Sequence, residues 1–363
     1  MSIPGLSRRD FLKLSATGSA GALMASCQSA REEGMPVAVM MLGDLTQVRW
    51  SQADLIFFEN GCQEEGIVPL MQNGQDDVRV QASQVENMIT MGVDAVALAA
   101  VEMNAGTDMV RKFKQAGIPV LVYNNAIPNC DADFLIARDP VQIGRRLAQA
   151  AIDDVGATGN WLKISGDQGN SVAQLTTQGV FEVIQPHIDS GAITLVDFQW
   201  HPGWSGDLAL KTTEQALIRT NNDIQVILSD NDGMAYGCLR ALVAQGLEGN
   251  VWLCGVDAEI EACRQILLGN MAVSNWSWFD RMGYTGAKIC AAMIRGENYP
   301  YELTQNNGTK DVPWIPVENI NVTKENIVEW LPQVQWWAPA QKVVEGVSEA
   351  LWPSGLRELL PAA

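Results

Sequence analysis

Shortages bound what this chain of 363 residues can do. Basic residues are scarce: 24 Lys and Arg stand against 42 Asp and Glu, a formal charge of −18. Nucleic acid is therefore a poor partner, because holding a phosphate backbone takes clustered cations. Charged residues make up only 18% of the chain, below the roughly 25% of an average domain, so the acidity reflects missing cations rather than surplus carboxylates. Histidine is almost absent, with His187 and His201 alone, and no two cysteines form a C-x-x-C pair. That leaves too few ligands for zinc. Glycine loops that cradle phosphates are missing too, since neither G-x-G-x-x-G nor G-x-x-x-x-G-K-[ST] occurs. No cofactor and no metal are expected.

What is present begins at the N-terminus. Ser7-Arg8-Arg9-Asp10-Phe11-Leu12-Lys13 precedes a short apolar stretch and then Leu23-Met24-Ala25-Ser26-Cys27. Paired arginines before Phe-Leu-Lys resemble a twin-arginine export signal, and small residues before a cysteine resemble a lipoprotein box. The apolar stretch is well short of the ~20 residues that span a bilayer. Residues 1–27 are expected to be a leader and Cys27 the site of lipidation. The remaining chain would be periplasmic or at the cell surface, held to the membrane by lipid. Met24 stands where the lipoprotein box usually has Leu, so plain cleavage stays open. The other six cysteines, Cys62, Cys130, Cys238, Cys254, Cys263 and Cys290, are read either as disulfide partners or as buried thiols.

After a polar linker at 28–36, continuous apolar runs of strand length alternate with segments of helical periodicity. Strands are expected at 37–42, 67–71, 95–100 and 118–123, with helices over 52–65, 80–91 and 104–116. After 133–137 a second series begins: helices over 140–154, 172–188, 206–220 and 234–245, alternating with strands at 161–165, 193–198, 225–229 and 251–256. Strands without polar alternation, separated by amphipathic helices, predict parallel sheets covered on both faces. The fold class is α/β, with two doubly wound sheets in succession. From Pro332 onward, Trp336-Trp337, several prolines and a helical stretch over 343–351 read as a strap.

Short motifs in this order of elements carry a resemblance. They are Gln84-Val85-Glu86-Asn87-Met88-Ile89, Gly92-Val93-Asp94, Asp189-Ser190-Gly191, Gln199-Trp200, Gly203-Trp204, Ser229-Asp230-Asn231-Asp232 and Asn306-Asn307-Gly308-Thr309-Lys310-Asp311-Val312-Pro313. From about residue 37 to about 331 the chain resembles the periplasmic xylose-binding proteins, type I sugar receptors of ABC importers. The resemblance implies two lobes that close on a sugar, joined by a hinge of three crossings near Ala137-Arg138-Asp139, Ser274 to Trp276, and Pro313 to Ile320. The N-terminal lobe would comprise 37–138 and 275–312, the C-terminal lobe 139–274 and 313–331, with the strap over 332–363.

A sugar offers hydroxyls around its rim and C–H bonds on its faces, so its site needs polar side chains and aromatic plates. The resemblance assigns ligand contacts to Arg49, Trp50, Trp204, Asn231 and Asp257. At other family positions this chain departs: Asn124-Asn125 replaces an Asp-Arg pair, Asn170 and Val172 replace Asp and Asn, and Ser277 replaces Lys. With Asn124, Asn125, Asn170 and Ser277 in place of charges, a neutral sugar or polyol is expected, and Trp276 with Trp278 would add aromatic surface. Taken singly, Trp50 and Trp204 also fit core positions, Asn231 and Asp257 helix N-caps, and Arg49 a salt bridge.

The function implied is a monomeric receptor that binds a monosaccharide and delivers it to an ABC permease, with a sensory receptor for a membrane kinase or chemoreceptor as the alternative. No catalytic residue is expected, because neither histidine has a nucleophile and carboxylate in triad order.

Overall fold

The structure is a computed structural model that describes residues 34–45 and 47–360. The leader and Cys27 lie outside them. The described residues form two compact units, and the chain passes between them three times: those up to Ala137 with Phe279–Val317 form unit 1, and Arg138–Trp278 with those from Glu318 form unit 2.

Unit 1 begins with β1 (Val37–Leu42), a π-helical turn at Trp50–Asp54 and α1 (Leu55–Glu64). It continues through β2 (Val68–Asn73), α2 (Val78–Met91), β3 (Ala95–Leu98), α3 (Met103–Gln115), β4 (Val120–Tyr123) and β5 (Phe134–Arg138). Every residue of β1, β3 and β4 is buried, which is why these strands read as unbroken apolar runs. Val39 sits opposite both Leu70 and Val96 in parallel register. Val96, Val120 and Val122 then pack with Val85, Met88, Val110 and Phe113 of the covering helices.

Unit 2 runs through α4 (Pro140–Val155), β6 (Gly159–Ser165), α5 (Ser171–Asp189), β7 (Ile193–Trp200), α6 (Gly206–Thr220), β8 (Val226–Ser229), α7 (Asp232–Ala244), β9 (Trp252–Val256), α8 (Ile260–Leu268) and β10 (Val273–Ser277). Successive β6 residues serve opposite faces, as the strand period of two requires. Leu162 and Ile164 pack under Leu217 and Leu242, while Trp161 packs with Leu147, Val180 and Ile184. Helices α4 and α5 approach at Gly179, where a Cβ would fall 2.0 Å from the Val141 carbonyl oxygen.

The chain then returns to unit 1 for α9 (Phe279–Arg295), β11 (Leu303–Asn306) and β12 (Asp311–Val317), and ends in unit 2 with β13 (Asn319–Thr323). The sheet orders are β11-β12-β5-β4-β3-β1-β2 and β13-β10-β9-β8-β6-β7. Both are parallel at the centre and mixed at the edge, since β11 pairs antiparallel with β12 and β13 with β10.

Two expectations need correction. The second crossing falls later than residue 275, because β10 is held through Ser277 by antiparallel pairing to β13; the third lies within the expected span 313–320, at 317/318, because β12 stays in the first sheet to Val317. The tail does not form a helix over 343–351. It makes a short helix at Ala340–Val343 and 3₁₀ turns at Glu349–Leu351 and Leu356–Leu359, as the prolines at 332, 339 and 353 favour. Val334, Trp337, Val343 and Leu356 are buried, and Arg264 Nη2 donates to the Lys342 carbonyl at 2.7 Å.

All six cysteines outside the leader are free and buried. Burial pushes the thiols of Cys238, Cys254 and Cys290 up to about 12, far from a reactive thiolate. Among the described residues no helix is long and apolar enough to cross a membrane, and no cluster of His, Cys, Asp and Glu could hold a metal ion.

Candidate functional site

The expected contact residues lie where parallel strands end, the edge at which open α/β sheets place their ligands. In unit 1, Arg49 follows β1, and Asn124 and Asn125 follow β4. Arg49 is almost wholly buried, and its guanidinium lies between two rings, 4.1 Å from the centroid of Trp50 and 3.9 Å from that of Phe279. Its Nε and Nη2 donate to Asp54 at 3.1 and 2.8 Å, and its Nη1 donates to Asn124 Oδ1 at 3.1 Å. Asn124 Nδ2 donates to Asn125 Oδ1 at 2.5 Å, and Asn125 Nδ2 donates to the Ala100 carbonyl at 2.9 Å.

Three of the four unit 1 residues are thus joined by hydrogen bonds, and Trp50 stacks on Arg49. The salt bridge and the core position that Arg49 and Trp50 fit singly are both realised, and one face of the Trp50 ring is covered by the guanidinium. Asn124 takes a φ of 63°, a conformation in which asparagine is enriched. Asp54 was missed in the sequence reading, although it anchors the set: it also accepts from Tyr123 Oη at 2.7 Å. Its one signal was a lone carboxylate in the apolar stretch from Ala53 to Phe58.

In unit 2 the five residues share the carboxyl edge of the parallel strands, and no hydrogen bond joins them to one another among the described residues. Asn170, half-buried, caps α5 by accepting from Val172 N–H at 2.9 Å. Asn231 caps α7 through Met234 N–H at 2.8 Å. Its side-chain oxygen is therefore committed to the helix, leaving the amide N–H groups as its free capacity. Trp204, half-buried, has a φ of 54°, and its ring lies on Gly166, where a Cβ would come within 2.4 Å. Any side chain at 166 would displace that ring.

Asp257 is not an N-cap. It follows β9 with a φ of 103°, and its Oδ1 accepts from Arg138 Nη1 at 3.0 Å, both side chains being nearly buried. Arg138, at the end of β5, was read only as part of a crossing. Ser277 is fully buried, and its Oγ has no hydrogen-bond partner among the described residues. Trp276 corrects an expectation: it is fully buried, Trp278 nearly so, and its ring packs 5.6 Å from Trp330 and 5.5 Å from Trp337. It belongs to an aromatic core beneath the tail and adds no ligand surface.

Charge at this edge is balanced. Lys163, fully buried on β6, donates to Asp230 Oδ1 at 2.5 Å, and Asp230 Oδ2 accepts from Gly166 N–H at 3.1 Å. Burial, with Glu259 and Asp257 nearby, pushes the Asp232 carboxyl well above the usual carboxylate range. Burial and the same Asp257 raise Glu259 to about 7. Burial likewise lowers His201, whose Nδ1 donates to the Ser165 carbonyl at 2.9 Å and whose Nε2 lies 3.0 Å from Thr212 Oγ1. Both ring nitrogens are engaged, which suits a loop support rather than a general base.

These features agree with what the chain is similar to. The sequence profile described as periplasmic binding protein domain matches residues 37–298. The D-xylose-binding periplasmic protein of Escherichia coli is 34% identical over 288 residues, 79% of this chain and 87% of that protein. The protein of the same name from Haemophilus influenzae is 30% identical over 309 residues, 85% and 92% of the two chains. Among solved structures, an ABC transporter solute-binding protein from Clostridium phytofermentans with bound β-D-glucose superposes with a TM-score of 0.77 at 22% identity, covering 84% of this chain and all but 1% of that one. The profile match, the two relatives and the two mixed sheets together place the chain in the periplasmic binding protein family, in its type I, doubly wound form.

Proposed function

We propose that this protein is an extracytoplasmic receptor for a neutral monosaccharide or polyol, which it delivers to an ABC importer without chemical change. The D-xylose binding of its two relatives supports the ligand class. The observation that carries the reading is the pairing of charges at the strand ends: Arg49 with Asp54, Arg138 with Asp257 and Lys163 with Asp230. A charged ligand would need an unpaired opposite charge, whereas hydroxyls are served by amides and by carboxylates with a spare oxygen. The proposed contacts are Arg49, Asn124 and Asn125 in unit 1, and Trp204, Asn231 and Asp257 in unit 2, with Trp50, Asn170 and Ser277 as supporting positions.

A thermal-shift screen with D-xylose, D-glucose, xylitol, myo-inositol and D-glucuronate tests this. A bound ligand stabilises by about 2.7 kcal/mol at a hundredfold excess over its Kd. At least one neutral compound is expected to raise the melting temperature, and D-glucuronate to leave it unchanged. A shift with the sugar acid alone, or with none of the five, would count against the reading.

The relatives are periplasmic, and we propose the same side of the membrane here, with the twin-arginine route for export, Cys27 as the lipid anchor and a monomeric state. Labelled fatty acid should enter the wild type and not Cys27→Ser. Arg8→Lys with Arg9→Lys should leave the protein in the cytoplasm, and export unaffected by that pair of changes would sink the twin-arginine route.

A further inference from the structure

The tail lies outside the residues matched by the family profile, yet it reaches the turn that carries Asp257. Asp257 and Ala258 take φ values of 103° and 46°. Left-handed backbone at two successive residues that are not glycine persists only where the surroundings over-determine it. Three elements do so here. Asp257 N–H donates to the Asn275 carbonyl at 2.7 Å, and Ala258 N–H to Ser274 Oγ at 2.9 Å, both on β10. The third is the tail: the Trp337 indole N–H donates to the Ala258 carbonyl at 2.8 Å. Cys263 Sγ also approaches that carbonyl, at 3.5 Å, as a much weaker donor. Trp337 is itself fixed, 4% exposed, with its N–H on the Val334 carbonyl at 2.8 Å and its ring against Trp276.

We propose that Trp337 is a positioning residue for sugar binding, through which the tail holds the Asp257 turn in its binding conformation. The inference rests on reading Asp257 as a ligand contact. A carboxylate already oriented toward Arg138 loses little freedom when a hydroxyl arrives, and rigidity of that kind is gained as affinity. Without the indole bond the turn is free to relax from its strained φ values, and each binding event must restore it.

The test compares the full chain with Trp337→Phe, which keeps a ring and removes the donor, and with Trp336→Phe, at the half-exposed neighbour, as control. Hydrogen exchange of the ligand-free protein at the amides of Asp257, Ala258 and Glu259 is expected to quicken about tenfold in Trp337→Phe, with exchange in α7 unchanged. Affinity for the sugar that binds wild type tightest in the screen is expected to fall about tenfold. The control should change neither. Unchanged exchange overturns the proposal whatever the ligand, and so does quicker exchange with undiminished affinity. If no sugar binds the wild type, the sugar reading falls separately, and the exchange rates still decide whether the tail holds the turn.

Discussion

Lys163→Met is expected to destabilise the protein by about 3–5 kcal/mol, because it removes one partner of a fully buried ion pair and leaves the other charge without water or counterion. Lys163 has no exposed surface and Asp230 only 2% at its side chain. Met matches the length and apolar character of the Lys stem, so the loss reports the charge rather than a cavity. Equilibrium denaturation in urea measures it, read as a shift in midpoint at unchanged slope. The double variant with Asp230→Asn should recover part of the loss, since no ionised group then remains buried. A single variant within about 1 kcal/mol of wild type, inside the range of exposed pairs, would mean that water reaches Asp230 in solution.

Asp257→Ala should weaken sugar binding by about 2–4 kcal/mol, the range for truncating a buried anchor, while the protein stays folded. That is roughly a thirtyfold to several-hundredfold rise in Kd by titration calorimetry. Asp257 gives Oδ1 to Arg138, which leaves Oδ2 to accept from a ligand hydroxyl. Asp257→Asn separates the two roles, because the amide oxygen can still face Arg138 while the second acceptor is lost. It should bind weakly and stay folded, with some loss of stability because Arg138 keeps a hydrogen bond but not its counterion. Wild-type affinity in Asp257→Ala would make the residue structural and shift the site toward Trp204 and Asn231.

Much of this architecture was legible before any coordinates. The strands at 37–42 and 95–100 could be read because burial on both faces leaves an unbroken apolar run, and a helix over 80–91 because Gly92 stops it with a φ of 64°. Both are local signals. The stretch from 257 to 331 yields no strand or helix to such reading, although it holds α8, β10, α9 and three further strands. Strand β11 shows why, being largely exposed and polar, without a periodic pattern to read.

The site divides the same way. Residues at strand ends could be placed because the ends were visible, and the replacement of charges by Asn124, Asn125 and Ser277 is written in the chain itself. Their partners could not be. Arg138 meets Asp257 across 119 residues, Lys163 meets Asp230 across 67, and Trp337 reaches Ala258 across 79. Local pattern decided which segments are strands and helices, since each needs only its own period and its own stops. Which charges neutralise one another, which tryptophans are core and what holds the Asp257 turn were decided by packing alone. Those contacts exist only once folding has brought segments far apart in the chain together.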